Sequence, residues 1–222
     1  MSTAAQDWAT ATEQKLLDEA LRLAPEYGWT GRTATLAGKA LGMSAAETEL
    51  LLPHGPVDLA ALLSRRHDTR ALEALANVHP DNLKIREKIR RALEARLDAA
   101  FADEAALRRC VGFLALPGRL RLGTRLAWES ADILWRWAGD TATDENHYTK
   151  RVILAGILTG AVAIRLASGR GPSMAFVDRR IADVMAFEKW KATTKLRPGH
   201  WLAEAAEHLG RMRYGSGKTP EA

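Results

Sequence analysis

Trp128 to Arg151 reads WESADILWRWAGDTATDENHYTKR, and the rest of the chain is organised around this stretch. It holds three of the seven tryptophans, a Gly-Asp break, an acidic helix start and a Tyr-Thr-Lys-Arg exit. Arg125, Glu129, Asp132 and Arg136 recur at helical spacing, which places four charges on one stripe. Asp132 and Arg136 stand in the favourable acid-before-base order. Leu122, Leu126, Trp128, Leu134 and Trp135 make the rest of that helix apolar. Ala138 and Gly139 end it. Thr141 or Thr143 caps the next helix, with Asp144 and Glu145 against its positive end. The stretch thus reads as two packed helices joined at an aromatic-rich corner.

Outward from the corner the apolar period is helical throughout, so the chain reads as all-α. Toward the C-terminus, a helix from Asp144 to Ser168 carries Gly156 and Gly160 one turn apart. Each glycine costs about 1 kcal/mol against alanine, so something approaches the backbone there, a neighbouring helix or a lipid tail. The apolar run from Val152 to Ile164 is shorter than the roughly 20 residues of a membrane span. Gly169 to Pro172 reads as a turn, and Ser173 as the cap of a helix reaching Lys191. A last amphipathic helix, His200 to Arg213, sets Trp201, Leu202, Leu209 and Met212 on one stripe. That stripe suits a membrane surface or docking on the core equally.

Toward the N-terminus, Leu120 to Ala138 is preceded by a short helix, Leu107 to Leu116, ending at Pro117-Gly118. Before it, Leu83 to Ala102 buries Leu83, Ile85, Ile89, Leu93 and Leu97. Its opposite side carries Lys84, Arg86, Lys88, Arg90, Arg91 and Arg96, read as a solvated face or one attracted to anionic headgroups. Another helix spans Val57 to Leu75. The first three are Thr12 to Tyr27, Thr33 to Leu41 closed by Gly42, and Ala45 to Leu52 capped by Ser44. Lys15 to Leu21, Tyr27-Gly28-Trp29 and Ala40 to Ser44 resemble the helix-turn-helix of TetR-type repressors. A recognition helix must offer donors or cations to phosphates and base edges. The helix after Ser44 offers Glu47 and Glu49 and no base. A DNA-binding, ligand-responsive regulator is therefore the alternative reading, not the preferred one, and nucleic acid is not an expected partner.

Leu134-Trp135, Ala138-Gly139-Asp140, Thr143-Asp144, Asn146 and Tyr148-Thr149 to Arg151 closely resemble the COQ9 family of ubiquinone-biosynthesis proteins. The resemblance extends more weakly from about Lys15 to about Met185. It implies a TetR-like helical bundle with a degenerate N-terminal helix-turn-helix (residues 1–55). A larger ligand-binding and dimerising helical region follows (56–195), then an amphipathic helix and flexible tail (196–222). It further implies an isoprenoid quinone as ligand and a homodimer through the last two long helices. The di-iron demethoxyubiquinone hydroxylase would dock on Asp140, Asp144, Asn146, His147, Tyr148 and Arg151. His147 departs from the family, where tryptophan can occupy that place. The C-terminal stripe would bind the membrane surface. The expected location is cytoplasmic, peripheral on the inner face of the membrane.

The 222 residues carry a formal charge of +5, which permits an anionic partner without selecting one. A single cysteine, Cys110, leaves no disulfide framework and no cysteine-based zinc site. The N-terminal segment has neither the apolar core of a signal peptide nor the arginines of a transit peptide. The six histidines lack metal-ligand spacing, and no phosphate loop, nucleophile elbow or dinucleotide fingerprint occurs. No catalytic residue, metal or cofactor is therefore expected, and the chain reads as a non-enzymatic accessory protein. The lipid is expected against Leu116, Leu120, Trp128, Leu134, Trp135, Leu154, Leu158 and Met185.

Overall fold

The computed structural model describes the backbone of residues 3–140 and 145–193, and the side chains of 8–140 and 147–187. All regular structure among the described residues is helical. Helix α1 (Thr3–Tyr27) begins nine residues before the expected Thr12. The Thr12 hydroxyl donates to the Trp8 carbonyl 2.8 Å away, one turn back inside the helix, so it is not a cap.

Helix α2 (Gly31–Ala40) starts at Thr30, whose side chain accepts from the Thr33 N–H. Helix α3 (Ala45–Leu51) is closed by a reciprocal box. The Glu47 carboxylate accepts from the Ser44 N–H at 2.8 Å, and Ser44 Oγ accepts from the Glu47 N–H at 3.2 Å. The two helices meet at Gly38, where a Cβ would lie 2.0 Å from Thr48 Oγ1. Helix α4 (Pro56–Ala74) is pinned at its start by the Trp29 indole, which donates to the Pro56 carbonyl at 2.9 Å.

Helices α5 (Ile85–Phe101), α6 (Glu104–Leu114) and α7 (Leu120–Trp137) follow, with single 3-10 turns at Pro80–Asn82 and Pro117–Arg119. Helix α8 (Glu145–Ser168) is separated from α9 (Arg170–Thr193) by Gly169 alone, at φ +84°. Pro172 therefore sits in the first turn of α9, where a missing N–H costs nothing. Ser173 is not a cap. It is buried, and its hydroxyl donates across to the Ala161 carbonyl of α8 at 2.8 Å.

The chain forms two compact units, Met1–Ile181 and Ala182–Ala222. The first contains two apolar cores. Leu16 and Leu17 of α1, Trp29, Ala34 and Ala37 of α2, Leu59 and Leu63 of α4, and Cys110 of α6 make one. Ile89, Leu93 and Leu97 of α5, Leu134 of α7, Leu154 and Leu158 of α8, and Val177 of α9 make the other. Each fully buried leucine contributes roughly 1.5–3 kcal/mol. Of the second unit, the helical backbone as far as Thr193 is described, with Met185 and Phe187 exposed. Trp201, Leu202, Leu209 and Met212 lie outside the described residues.

By length and composition the segment His147–Ser168 is apolar enough to cross a membrane, because the helix continues past the uncharged run. Its packing is that of a core helix on one side: Leu154, Ile157, Leu158 and Ala161 are buried, and Arg151 is fully enclosed.

Candidate functional site

Between the two cores of the first unit lies a cavity of about 750 Å³, within the 300–1,000 Å³ typical of ligand pockets. Five helices wall it. Leu63, Ser64 and His67 come from α4, Arg96 and Ala100 from α5, and Leu107, Cys110, Val111 and Leu114 from α6. Helix α7 gives Leu120, Gly123, Thr124, Leu126, Ala127, Trp128 and Ser130. Helix α8 gives Val152, Ala155, Gly156, Leu158, Thr159, Gly160, Val162 and Ala163. Small residues on α7 and α8 leave the space open. A Cβ on Gly156 would meet nothing within 4 Å, whereas one on Gly160 would lie 2.9 Å from Phe176 of α9. The two glycines thus divide the roles expected for them: Gly160 admits a neighbouring helix, and Gly156 faces open space at the cavity wall.

Sequence reading missed the polar part of this wall. Arg96 is not on a solvated face. It is buried, and its Nε donates to Asp68 Oδ1 at 2.6 Å, with Nη2 3.3 Å from Ser130 Oγ and 3.4 Å from Ser64 Oγ. Other members of the basic face are also engaged: Lys88 donates to the Ala138 carbonyl, and Arg90 pairs with Glu94 and Asp178. His67 is buried beside Asp68, and among the described residues its Nε2 is the one buried side-chain polar atom without a hydrogen-bond partner. Burial, and then the positive charges of Arg96, Arg70 and Arg66, push its pKa down to about 2, so the imidazole is neutral. The signal was register. Leu63, His67 and Ala71 fall on one buried stripe of α4, and Leu93, Arg96 and Ala100 on one of α5. Cys110 is a wall residue with no activated thiol, since burial pushes it up to about 12.

Of the eight side chains expected to hold lipid, the structure brings Leu120, Trp128 and Leu158 to the cavity. Leu134 and Leu154 are instead packed in the second core, with Trp135 against it. Leu116 is exposed at the 3-10 turn, and Met185 is exposed in the second unit.

The corner is built from the end of α7. The Gly139 N–H bonds the Arg136 carbonyl and the Asp140 N–H the Trp135 carbonyl, each at 3.0 Å, with Gly139 at φ +89°. That is a Schellman ending. It delivers Asp140 to the start of α8, where Lys150 Nζ and Arg151 Nη1 donate to its two oxygens at 2.7 and 3.0 Å. Arg151 Nε also donates to Asp132 Oδ1 at 2.6 Å, and its Nη1 to the His147 carbonyl at 3.1 Å. Burial alone would raise both carboxyls, but the hydrogen bonds from Arg151, Arg136 and Lys150 outweigh it and hold them below the usual range.

Arg151 is therefore enclosed at 1 % exposure and does not share an outward face with Tyr148, which is 63 % exposed. Residues three apart lie only about 60° apart around a helix, so it is the carboxylates of Asp132 on α7 and Asp140 just after it that draw the arginine inward. Tyr148 stacks on Trp128, with ring centroids 5.9 Å apart, and meets the edge of His147 at 5.2 Å. Asp144 and the Asn146 side chain lie outside the described residues.

Residues 120–188, which build α7, α8 and most of α9, match the family model named COQ9. The chain is similar to the ubiquinone biosynthesis protein COQ9, mitochondrial, of Rattus norvegicus, at 27 % identity over 78 % of this chain and 58 % of the relative. The Homo sapiens protein of the same name is 25 % identical over 78 % of this chain and 57 % of its own length. A probable ubiquinone biosynthesis protein coq9, mitochondrial, of Dictyostelium discoideum is 23 % identical over 80 % and 61 %. The chain thus spans somewhat more than half the length of these relatives. The family match on the helices that wall the cavity and build the corner, together with these relatives, supports the chain as a COQ9 family protein.

Proposed function

We propose that this protein is a non-catalytic accessory factor of ubiquinone biosynthesis that holds an isoprenoid quinone intermediate in the cavity. The observation that carries this reading is the cavity itself: about 750 Å³, with aliphatic carbons over most of its wall and an opening along α7 and α8. Each CH₂ buried there contributes roughly 0.8 kcal/mol, so a prenyl chain is retained without a charged anchor.

In the same reading, the ligand is passed to the di-iron demethoxyubiquinone hydroxylase at the surface around Tyr148. An exposed tyrosine stacked on a tryptophan supports this, because such rings anchor protein interfaces. The working protein is a homodimer at the membrane surface where ubiquinone is made. The relatives' names place them in mitochondria, whereas the sequence alone led us to expect the cytoplasm. The acids of α3, Glu47 and Glu49, are both exposed and Leu50 is 78 % exposed, which disfavours the regulator reading.

Mass spectrometry of organic extracts from the purified protein tests the proposal. A polyisoprenoid quinone or its precursor is expected at near one per chain. Protein that is lipid-free however gently it is purified would refute it.

A further inference from the structure

The floor and the mouth of the cavity have opposite characters. Its mouth is apolar, with Leu120 53 % and Val152 61 % exposed. Of its polar groups, His67, Arg96 and Ser130 are deeply buried, each under a tenth exposed, while the exposed Thr124 and Thr159 turn their hydroxyls to carbonyls of their own helices. A lipid that left its head at the surface and sent its tail inward would set hydrocarbon against this floor and leave His67 Nε2 without a partner. A ligand entering oxygen-first would do the reverse.

We propose that the cavity takes a neutral isoprenoid with its terminal oxygen at the His67–Arg96–Ser130 floor and its chain running outward between α7 and α8. This deepens the lipid-holding reading above and rests on it.

Charge selects the neutral head. The Arg96 cation already faces Asp68 at 2.6 Å, and both are buried. His67 carries no charge to lend. An entering carboxylate or phosphate would lose its water and gain no free cation, which is unfavourable in a desolvated site. A hydroxyl or phenol both donates and accepts, so it satisfies Nε2 in either tautomer, and a quinone carbonyl satisfies the Nε2–H form.

The test is a titration of the delipidated full chain with three C20 probes delivered from cyclodextrin, followed by tryptophan emission. The probes are geranylgeraniol, geranylgeranoic acid at neutral pH, and the corresponding hydrocarbon. The wild-type chain is expected to bind the alcohol about tenfold tighter than either of the others, the worth of one satisfied buried hydrogen bond. His67→Leu is expected to abolish that preference while keeping its affinity for the hydrocarbon. Equal binding of alcohol and hydrocarbon by the wild-type chain would overturn the oxygen-first placement and leave the cavity as a lipid site. A preference that survives in His67→Leu would remove His67 from it. Binding of none of the three would overturn both this inference and the reading beneath it. The wild-type series needs no variant to fold.

Discussion

Arg151 Nη1 lies 3.0 Å from Asp140 Oδ2, and this bond ties the first turns of α8 to the loop that ends α7. With Asp132 on the other side, the guanidinium is shared between two carboxylates and is inaccessible to a partner. Arg151 therefore positions the corner and does not form its contact surface. Arg151→Ala removes the enclosed cation shared by two carboxylates, leaving Asp132 with Arg136 alone and Asp140 with Lys150 alone, and is expected to cost about 3 kcal/mol. In a chain of this size that lowers Tm by on the order of 10 °C. Calorimetry checks this; an unchanged Tm would mean the pair is energetically idle. Asp132 and Asp140 are held below the 3.8 of a free aspartate, so their contribution is complete at neutral pH and lost as pH falls below that value.

Tyr148 gives the opposite expectation. At 63 % exposure it loses its ring contacts with Trp128 and His147 when truncated, about 1 kcal/mol. Tyr148→Ala is expected to melt within a few degrees of the wild-type chain and to lose most of its capture of the hydroxylase in a pull-down. Normal capture by the folded variant would remove Tyr148 from the docking surface.

His67 makes stability depend on pH, most visibly above about pH 5, where the carboxylates are already ionised. Its pKa falls from 6.5 to about 2 on folding. The unfolded chain therefore binds the extra proton between those values, and stability is full above 6.5 and falls as pH drops through the window. From pH 6.5 to 5 the loss from this one group is about 2 kcal/mol. Urea denaturation at both pH values should show that difference between the wild-type chain and His67→Leu. Parallel profiles would place a proton or a partner on Nε2 in solution.

The helical class, the Ser44 cap, the break at Pro80 and the end of α7 at Gly139 were legible because each depends on local backbone chemistry. The cavity wall was not. Apolar period says that Leu134 and Leu158 face inward, but Leu134 meets packed side chains alone while Leu158 also borders the void, and that depends on neighbours distant in sequence. Arg96 and Arg151 were misplaced for one reason. A charged residue reads as solvated unless its acid is known, and Asp68 and Asp132 sit on other helices, 28 and 19 residues away.

The central claim is that the space beside Gly156 holds a lipid. Gly156→Leu suits the helix better by nearly 1 kcal/mol and adds a side chain where a Cβ meets nothing within 4 Å. The direct measurement is the amount of isoprenoid per chain, by mass spectrometry, in wild-type and Gly156→Leu proteins purified side by side. The expected result is near-stoichiometric lipid in the wild-type chain and at least tenfold less in an equally helical variant. Equal lipid in both, or none in either, would contradict the account.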